Sequence, residues 1–356
     1  DKSISHRALI LAAMSTGKTT ISNLLESDDV IRTLKILKQL GIKIIKDGNK
    51  WLVYGNGTSG FIEPEESLNC GNSGTTARLM IGAVSSNPIS CSFIGDKSLS
   101  KRSMSRVTKH LEKIGATVHI TNEDYLPLLI SGSDQLLPMK HNIQKASAQI
   151  KSALILASLN IQGKTKIIEN IPTRDHTERL LRYLNVNIKI KKLNKGIKQI
   201  ELNGPYEIKS KNIEVAGDPS SAAFFIVGAL IIPKSKITLK NIMLNPTRVA
   251  FLKVLKKMGG KIQVKKTKSI CGEDVGNINV EHSFLKGINI SSSQSAFLID
   301  EYPILSIAAS QAKGKTFMKG LEELRYKESD RIKSIVFNFR KLGIDILESK
   351  DNLIIT

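Results

Sequence analysis

Seven short polar runs hold most of the side chains in this 356-residue chain whose types suit chemistry: KSISHRAL from Lys2, GNSGTTAR from Gly71, SAQIKSA from Ser147, TRDHTE from Thr173, GDPSSAAFF from Gly217, LIDEYP from Leu298 and ELRYKESDR from Glu323. Lys2, Ser3 and Arg7 fall at the start of an apolar helix, where unpaired amides and the helix dipole favour an anion. Gly71 and Gly74 let the backbone approach a ligand closely, and Asn72, Thr75 and Arg78 supply donors. The segment SKRSMSR adds Arg102, whose planar fork suits a carboxylate or phosphate. This mixture of Lys and Arg with Ser, Thr and Gln suits charge-assisted gripping of substrates that carry phosphate and carboxylate groups. Asp300 and Glu328, carboxylates amid cations, then read as proton carriers. The set points to transfer between two anionic molecules, with no cofactor and no metal. Taken singly, each run has an ordinary explanation as a helix cap of Ser, Thr or Asp beside a solvated Lys or Arg. Recurrence at one place in each repeat argues against that explanation.

The elements that must position these runs repeat with them. LGIKI, IGATV, LNVNI, MGGKI and LGIDI mark a helix-to-strand passage at Leu40, Ile114, Leu184, Met258 and Leu342, spaced 74, 70, 74 and 84 residues apart. Such a period exceeds the roughly 20 to 50 residues of common solenoid repeats, so packed subdomains are expected. Each unit opens with a small-residue apolar helix, such as RALILAAMS or KSALILASL, followed by a β-rich run. A second, amphipathic helix follows, with apolar residues three and four apart as at Val107, Leu111 and Ile114. Gly41, Gly115, Gly259 and Gly343 end it in a left-handed cap, with Asn185 as the permitted substitute. Two strands close the unit, which is βαβαββ or a cyclic permutation of it. GKT triplets at Gly17, Gly163 and Gly314 lack the upstream glycine of a nucleotide-binding P-loop and lie after a helix and before a strand, the reverse of that motif's order.

Five such units exceed a single core. Two domains are expected, residues 1–216 with three units and 217–356 with two, because turn formers cluster near Asn203-Gly204-Pro205 and Gly217-Asp218-Pro219. The chain opens on Asp1 and stops on the strand NLIIT without a sixth unit, so it reads as a fragment missing both ends and short of activity on its own. Net charge is +21, carried by 41 Lys and 12 Arg spread through every unit, while aromatics make up only 5%. That balance fits a field drawing small anions into a cleft, or a Lys-rich solvated surface, better than a nucleic-acid reader with interleaved aromatics. A non-catalytic nucleic-acid module, argued from charge alone, is the weaker alternative. Cys70, Cys91 and Cys271 form no metal-ligand spacing, which implies a reduced compartment, the cytoplasm. No run of 18 apolar residues suggests a membrane partner.

In order along the whole chain, the seven runs closely resemble the motifs of the 5-enolpyruvylshikimate-3-phosphate (EPSP) synthase family. The resemblance implies an inside-out α/β barrel architecture: two domains of three βαβαββ units each, five of six present, closing on substrates in the cleft between them. It implies transfer of the enolpyruvyl group of phosphoenolpyruvate to the 5-hydroxyl of shikimate 3-phosphate, on the route to chorismate and the aromatic amino acids. Addition would give a tetrahedral intermediate and elimination would release phosphate. A monomer acting on small anionic molecules is expected. The sister enolpyruvyl transferase acting on UDP-N-acetylglucosamine shares the architecture but uses a Cys in a second-unit loop, and GDKSLSKRSMSR contains none.

Carried over position by position, the resemblance makes Lys2 the lysine that touches both substrates and a catalytic residue alongside Asp300 and Glu328. Ser3, Arg7, Ser147, Ala148, Gln149 and Thr173 become contacts of shikimate 3-phosphate, together with Asp300 and Lys327. Asn72, Gly74, Arg102, Gln149 and Arg331 become the phosphoenolpyruvate set. Asp300 is the implied acceptor of the attacking hydroxyl's proton, and Glu328 the implied acid and base at the enol carbon.

Overall fold

Helices that are apolar on every side must be buried on every side, and this decides the layering. The computed structural model describes residues 1–120 and 124–356, which divide into two compact units, Asp1–Val215 and Ala216–Thr356. In the first unit the order is α1 (Lys2–Ala13), β1 (Thr16–Ser22), α2 (Asp28–Gln39), β2 (Lys43–Asp47), β3 (Lys50–Asn56), β4 (Leu68–Asn69), α3 (Gly74–Ser85), β5 (Ser90–Ile94), α4 (Ser105–Glu112), β6 (Thr117–Ile120) and β7 (Leu128–Ser131). It continues with β8 (Lys140–Ile143), α5 (Ala148–Ser158), β9 (Gly163–Glu169), α6 (His176–Tyr183), β10 (Lys189–Lys192), β11 (Lys198–Gly204) and β12 (Ile213–Glu214). The second unit holds α7 (Pro219–Ile231), β13 (Lys236–Met243), α8 (Ala250–Lys257), β14 (Lys261–Ile270), β15 (Glu273–Glu281), β16 (Asn289–Ile290), α9 (Ser295–Leu298), α10 (Tyr302–Ser310), β17 (Thr316–Met318), α11 (Arg331–Lys341), β18 (Ile346–Ser349) and β19 (Asn352–Ile355).

The repeat appears in the sheets. Their strand orders are β12-β1-β3-β2, β4-β5-β7-β6, β8-β9-β11-β10 and β16-β17-β19-β18, each with a parallel leading pair followed by antiparallel neighbours. The remaining sheet, β13-β15-β14, has a parallel bridge from Gly217 to Ile242 in place of the leading strand. One detail departs from the expected βαβαββ unit. The first repeat begins at its helix, and its leading strand is lent from far along the chain: Ile213 and Glu214 pair with Ile21 and Ser22. Proximity in space replaces proximity in sequence, and the unit closes on itself.

From Ile4 to Ala13 every residue of α1 is buried, and α5 is buried from Ile150 to Ser158. Their Ala, Ser and Leu content gives slim helices that pack among themselves, while the sheets keep one face for solvent, as the alternating burial of β15 shows in the second unit. Helices α3 and α5 approach closely: a Cβ on Gly82 would stand 2.3 Å from the Ala153 carbonyl oxygen. The helix caps also follow the sequence pattern: Gly41, Gly115, Gly259 and Gly343 have φ of 86, 109, 99 and 73°, and Asn185 has 63°. In the second unit α7 differs from its counterparts, for Phe224 and Phe225 are 58% and 66% exposed.

Gly82→Val should therefore lower stability by about 2 kcal/mol or more, because packed backbone has no room for a side chain. Gly228→Ala, on α7 where an added Cβ meets no atom within 4 Å, should instead stabilise by about 0.5–1 kcal/mol through unfolded-state entropy. Thermal melts of the two variants check the contrast.

Candidate active site

Three of the polar runs become helix N-termini at one end of the first unit. Asp1 caps α1 by accepting from the Ile4 amide at 2.8 Å, Ser73 caps α3 by accepting from Thr76 at 3.1 Å, and Ser147 caps α5 by accepting from Ile150 at 3.3 Å. Side chains tie these ends together. Lys2 Nζ lies 3.0 Å from Asp29 Oδ2 at the start of α2, and the Thr76 hydroxyl lies 3.2 Å from the Asp29 carbonyl oxygen. Gln149 Nε2 donates to Thr75 Oγ1 at 2.9 Å. Dipoles of buried helices thus point their positive ends the same way, which creates an anion-favouring surface before any cation is added.

Cations are added there. Arg78 donates to Gln149 Oε1 and to the Ser103 carbonyl, both at 3.0 Å, and so joins α3, α5 and the loop that carries Arg102. Arg102 donates to the Asn72 carbonyl at 2.9 Å and also to the Asn72 side chain. Gly74 makes this crowding feasible: a Cβ there would stand 2.7 Å from Arg78 Nη1 and 3.1 Å from Arg102 Nη1. Asn72, Gly74, Arg102 and Gln149 therefore come together, although they were chosen from three separate stretches of sequence. Lys2 and Ser3 sit at the same end, with Lys2 exposed.

Arg7 is deeper, only 5% exposed. Its guanidinium donates to Thr177 Oγ1 at 2.7 Å, Ser152 Oγ at 2.8 Å and the Ser3 carbonyl at 2.9 Å. Beside it lies a charged cluster that sequence reasoning did not single out. Lys151 Nζ is 3.0 Å from Glu169 Oε1 and 2.8 Å from Glu178 Oε1, with all three side chains at most 2% exposed. Burial works against the Lys151 charge, but Glu178 and Glu169 outweigh it and hold its pKa above the ordinary lysine value. Thr173 donates to the same Glu169 oxygen from its amide at 2.8 Å and from its hydroxyl as well. In KSALILASL the lysine resembled one more solvated cation. Only the partner carboxylates reveal its place.

The second unit gathers the remaining group. Arg331 Nη1 lies 3.2 Å from Asp300 Oδ1 and its Nη2 lies 2.8 Å from Glu328 Oε2, so one guanidinium holds both carboxylates. Burial opposes the charge of Arg331, yet Asp300 and Glu328 raise its pKa above the usual arginine value. Arg325 braces the segment between them, pairing with Asp330 at 3.1 Å and Glu348 at 2.7 Å. The run ELRYKESDR contains both arginines, and nothing in their spacing says which one braces. Lys327 is half-buried and Glu328 exposed on the braced segment. Among the described residues no helix is long and apolar enough to cross a membrane.

Similarity to known proteins runs the whole length of the chain. Residues 1–356 match the family EPSP synthase (3-phosphoshikimate 1-carboxyvinyltransferase). The 3-phosphoshikimate 1-carboxyvinyltransferase of Parvibaculum lavamentivorans is 46% identical, with 100% of this chain and 79% of that protein covered. That of Zymomonas mobilis is 43% identical over 100% of this chain and 78% of its own length. A solved structure of EPSP synthase from Acinetobacter baumannii superposes with a TM-score of 0.87 at 38% identity, covering 100% of this chain and 79% of that one. The enolpyruvyl transferase NikO from Streptomyces tendae, 14% identical, shares the fold with a TM-score of 0.76 over 99% of this chain and 79% of its own.

A buried histidine at this end of the first unit gives a pH prediction. His6 Nδ1 lies 2.7 Å from Thr33 Oγ1, which is 2.8 Å from Thr76 Oγ1, which is 2.7 Å from the capping Ser73. Burial, then Arg7 and Lys2, lower the His6 pKa to about 3. Its folded pKa is below the unfolded value, so the stabilisation is present above about pH 6.5 and is lost as pH falls towards 3. At pH 5 the loss should be about 2 kcal/mol. Thermal melts between pH 7 and 5 should show a flatter dependence in His6→Gln than in the unmodified protein.

Proposed function

The chain belongs to the EPSP synthase family, and on that premise we propose how its residues divide the work of moving the enolpyruvyl group of phosphoenolpyruvate onto the 5-hydroxyl of shikimate 3-phosphate. The observation that carries the reading is the shared clamp on Asp300 and Glu328. An addition followed by an elimination needs one group to take a proton from oxygen and another to move a proton at carbon, and two carboxylates on one cation answer that need. Asp300 takes the proton of the 5-hydroxyl as its oxygen bonds to the enol carbon. Glu328, protonated in the substrate complex, delivers its proton to the methylene carbon, making it a methyl group. The tetrahedral intermediate then loses phosphate as its C–O bond breaks, the methyl group returns that proton to Glu328 as the enolpyruvyl double bond re-forms, and the proton held by Asp300 leaves with the phosphate.

The remaining residues serve binding. In the first unit Lys2, Ser3, Arg7, Ser147, Ala148, Gln149 and Thr173 are the proposed contacts of shikimate 3-phosphate, and Lys2, Asn72, Gly74, Arg102 and Gln149 those of phosphoenolpyruvate. In the second unit Asp300 and Lys327 are the proposed contacts of the former and Arg331 of the latter. Support comes from the joining of α1, α3 and α5 N-termini with Arg102 and Arg78 at one end. Fixed donors aimed at developing charge contribute about 3–4 kcal/mol each in comparable oxyanion sites. The family acts on small molecules, and a cytoplasmic monomer without nucleic-acid or membrane partners belongs to the same proposal.

With both substrates present, the protein expressed from its complete reading frame should release one phosphate per enolpyruvyl ether formed; no release in a folded preparation sinks the reading. Asp300→Asn should reduce kcat at least ~10²-fold with little change in shikimate 3-phosphate affinity. Gly74→Ala should instead raise KM for phosphoenolpyruvate, because the added methyl displaces Arg78 or Arg102. Steady-state rates against each substrate separate the two effects.

A further inference from the structure

Two neighbouring links join α5 to α6, and the first supports the second. Lys151 and Glu178 form the ion pair, at 2.8 Å; the next residue on α5, Ser152, and the preceding residue on α6, Thr177, bring their hydroxyl oxygens to 2.7 Å. Both of those hydroxyls accept from Arg7. Glu169, the second partner of Lys151, ends β9 and receives the amide and hydroxyl of Thr173. One buried ammonium therefore fixes the orientation of α6 against α5 and the start of the loop that leads from β9 into α6.

We propose that Lys151, Glu169 and Glu178 are positioning residues that set the Ser152–Thr177 hydroxyl pair to aim the Arg7 guanidinium, and thereby determine affinity for the shikimate 3-phosphate anion rather than for phosphoenolpyruvate. The inference rests on the proposed function and deepens it. Arg7 is only 5% exposed, and the hydroxyls of Thr177 and Ser152 fix the direction of its Nε and Nη2. The charged triad compensates its own lysine and lies one residue away on both helices. A shift of α6 against α5 separates the Thr177 hydroxyl from that of Ser152, and Arg7, which donates to both, turns with it. Asn72 and Arg102 bond to each other where the start of α3 meets the loop before α4, and that bond does not depend on where α6 lies, so this part of the phosphoenolpyruvate set is spared.

The test uses the protein from its complete reading frame. Lys151→Met/Glu178→Gln removes the ion pair while keeping the formal charge of the triad, and Thr177→Val removes only the hydroxyl that Nε of Arg7 meets. Calorimetric binding of shikimate 3-phosphate and phosphate-release kinetics are measured for both, with Thr177→Ser as the rescue. Expected is at least a tenfold rise in Kd and KM for shikimate 3-phosphate in both variants, less than a threefold change in KM for phosphoenolpyruvate and in kcat, and near-normal values for Thr177→Ser. A purely structural triad would lower the melting temperature of Lys151→Met/Glu178→Gln and leave KM unchanged, which overturns the proposal. If that variant fails to fold, Thr177→Val decides: normal shikimate 3-phosphate affinity overturns it, and selective loss supports it. Unmodified protein that neither binds nor turns over shikimate 3-phosphate would defeat the proposed function itself, a result distinct from normal binding in the variants.

Discussion

The packing of slim, fully buried helices against one another is the constraint on which the first unit depends. Helices with no polar face have nowhere to go but the interior, and their sheets must then take the outside. Close approach demands small residues, so Gly82 meets the backbone at Ala153 directly. The consequence for chemistry is orientation. Side-chain links at Asp29, Thr76 and Gln149 show neighbouring helices presenting their N-termini together. Amides left unpaired by the helix geometry make that end attractive to anions.

Burial that organises the helices also makes charge expensive inside them, and the structure resolves this by pairing. Lys151 with Glu169 and Glu178 is an ion cluster at most 2% exposed. Buried pairs of this kind add little net stability, but removing one partner leaves a charge stranded at a cost of about 3–5 kcal/mol. Geometry is what such a cluster supplies most reliably. Arg7 is fixed in direction by two hydroxyls and a carbonyl oxygen.

In the second unit the same economy appears with signs reversed. Asp300 and Glu328 share Arg331, and Arg325 anchors the intervening segment through Asp330 and Glu348. A proton carrier must be positioned without being locked, and Glu328, half exposed at 50%, keeps that freedom while Arg331 limits its range. The two arginines are six residues apart in one run and do different jobs, one bracing the loop and one facing the carboxylates.

Local chemistry determined much of the design in advance. Left-handed glycines after each amphipathic helix, the apolar first helices and the turn-forming GKT triplets were legible because each is a property of a few consecutive residues. The family resemblance was legible for the same reason, since each motif is contiguous. What the sequence did not contain was pairing at long range. That Ile213 completes the sheet of Ile21, that Lys151 meets Glu169 and Glu178, and that Arg7 rests on Ser152 and Thr177 all depend on which surfaces meet after burial. A lysine in an apolar helix reads alike whether it snorkels to water or finds a carboxylate. The choice belongs to tertiary structure, because only the folded chain fixes the distance to the opposite charge and the amount of water left between them.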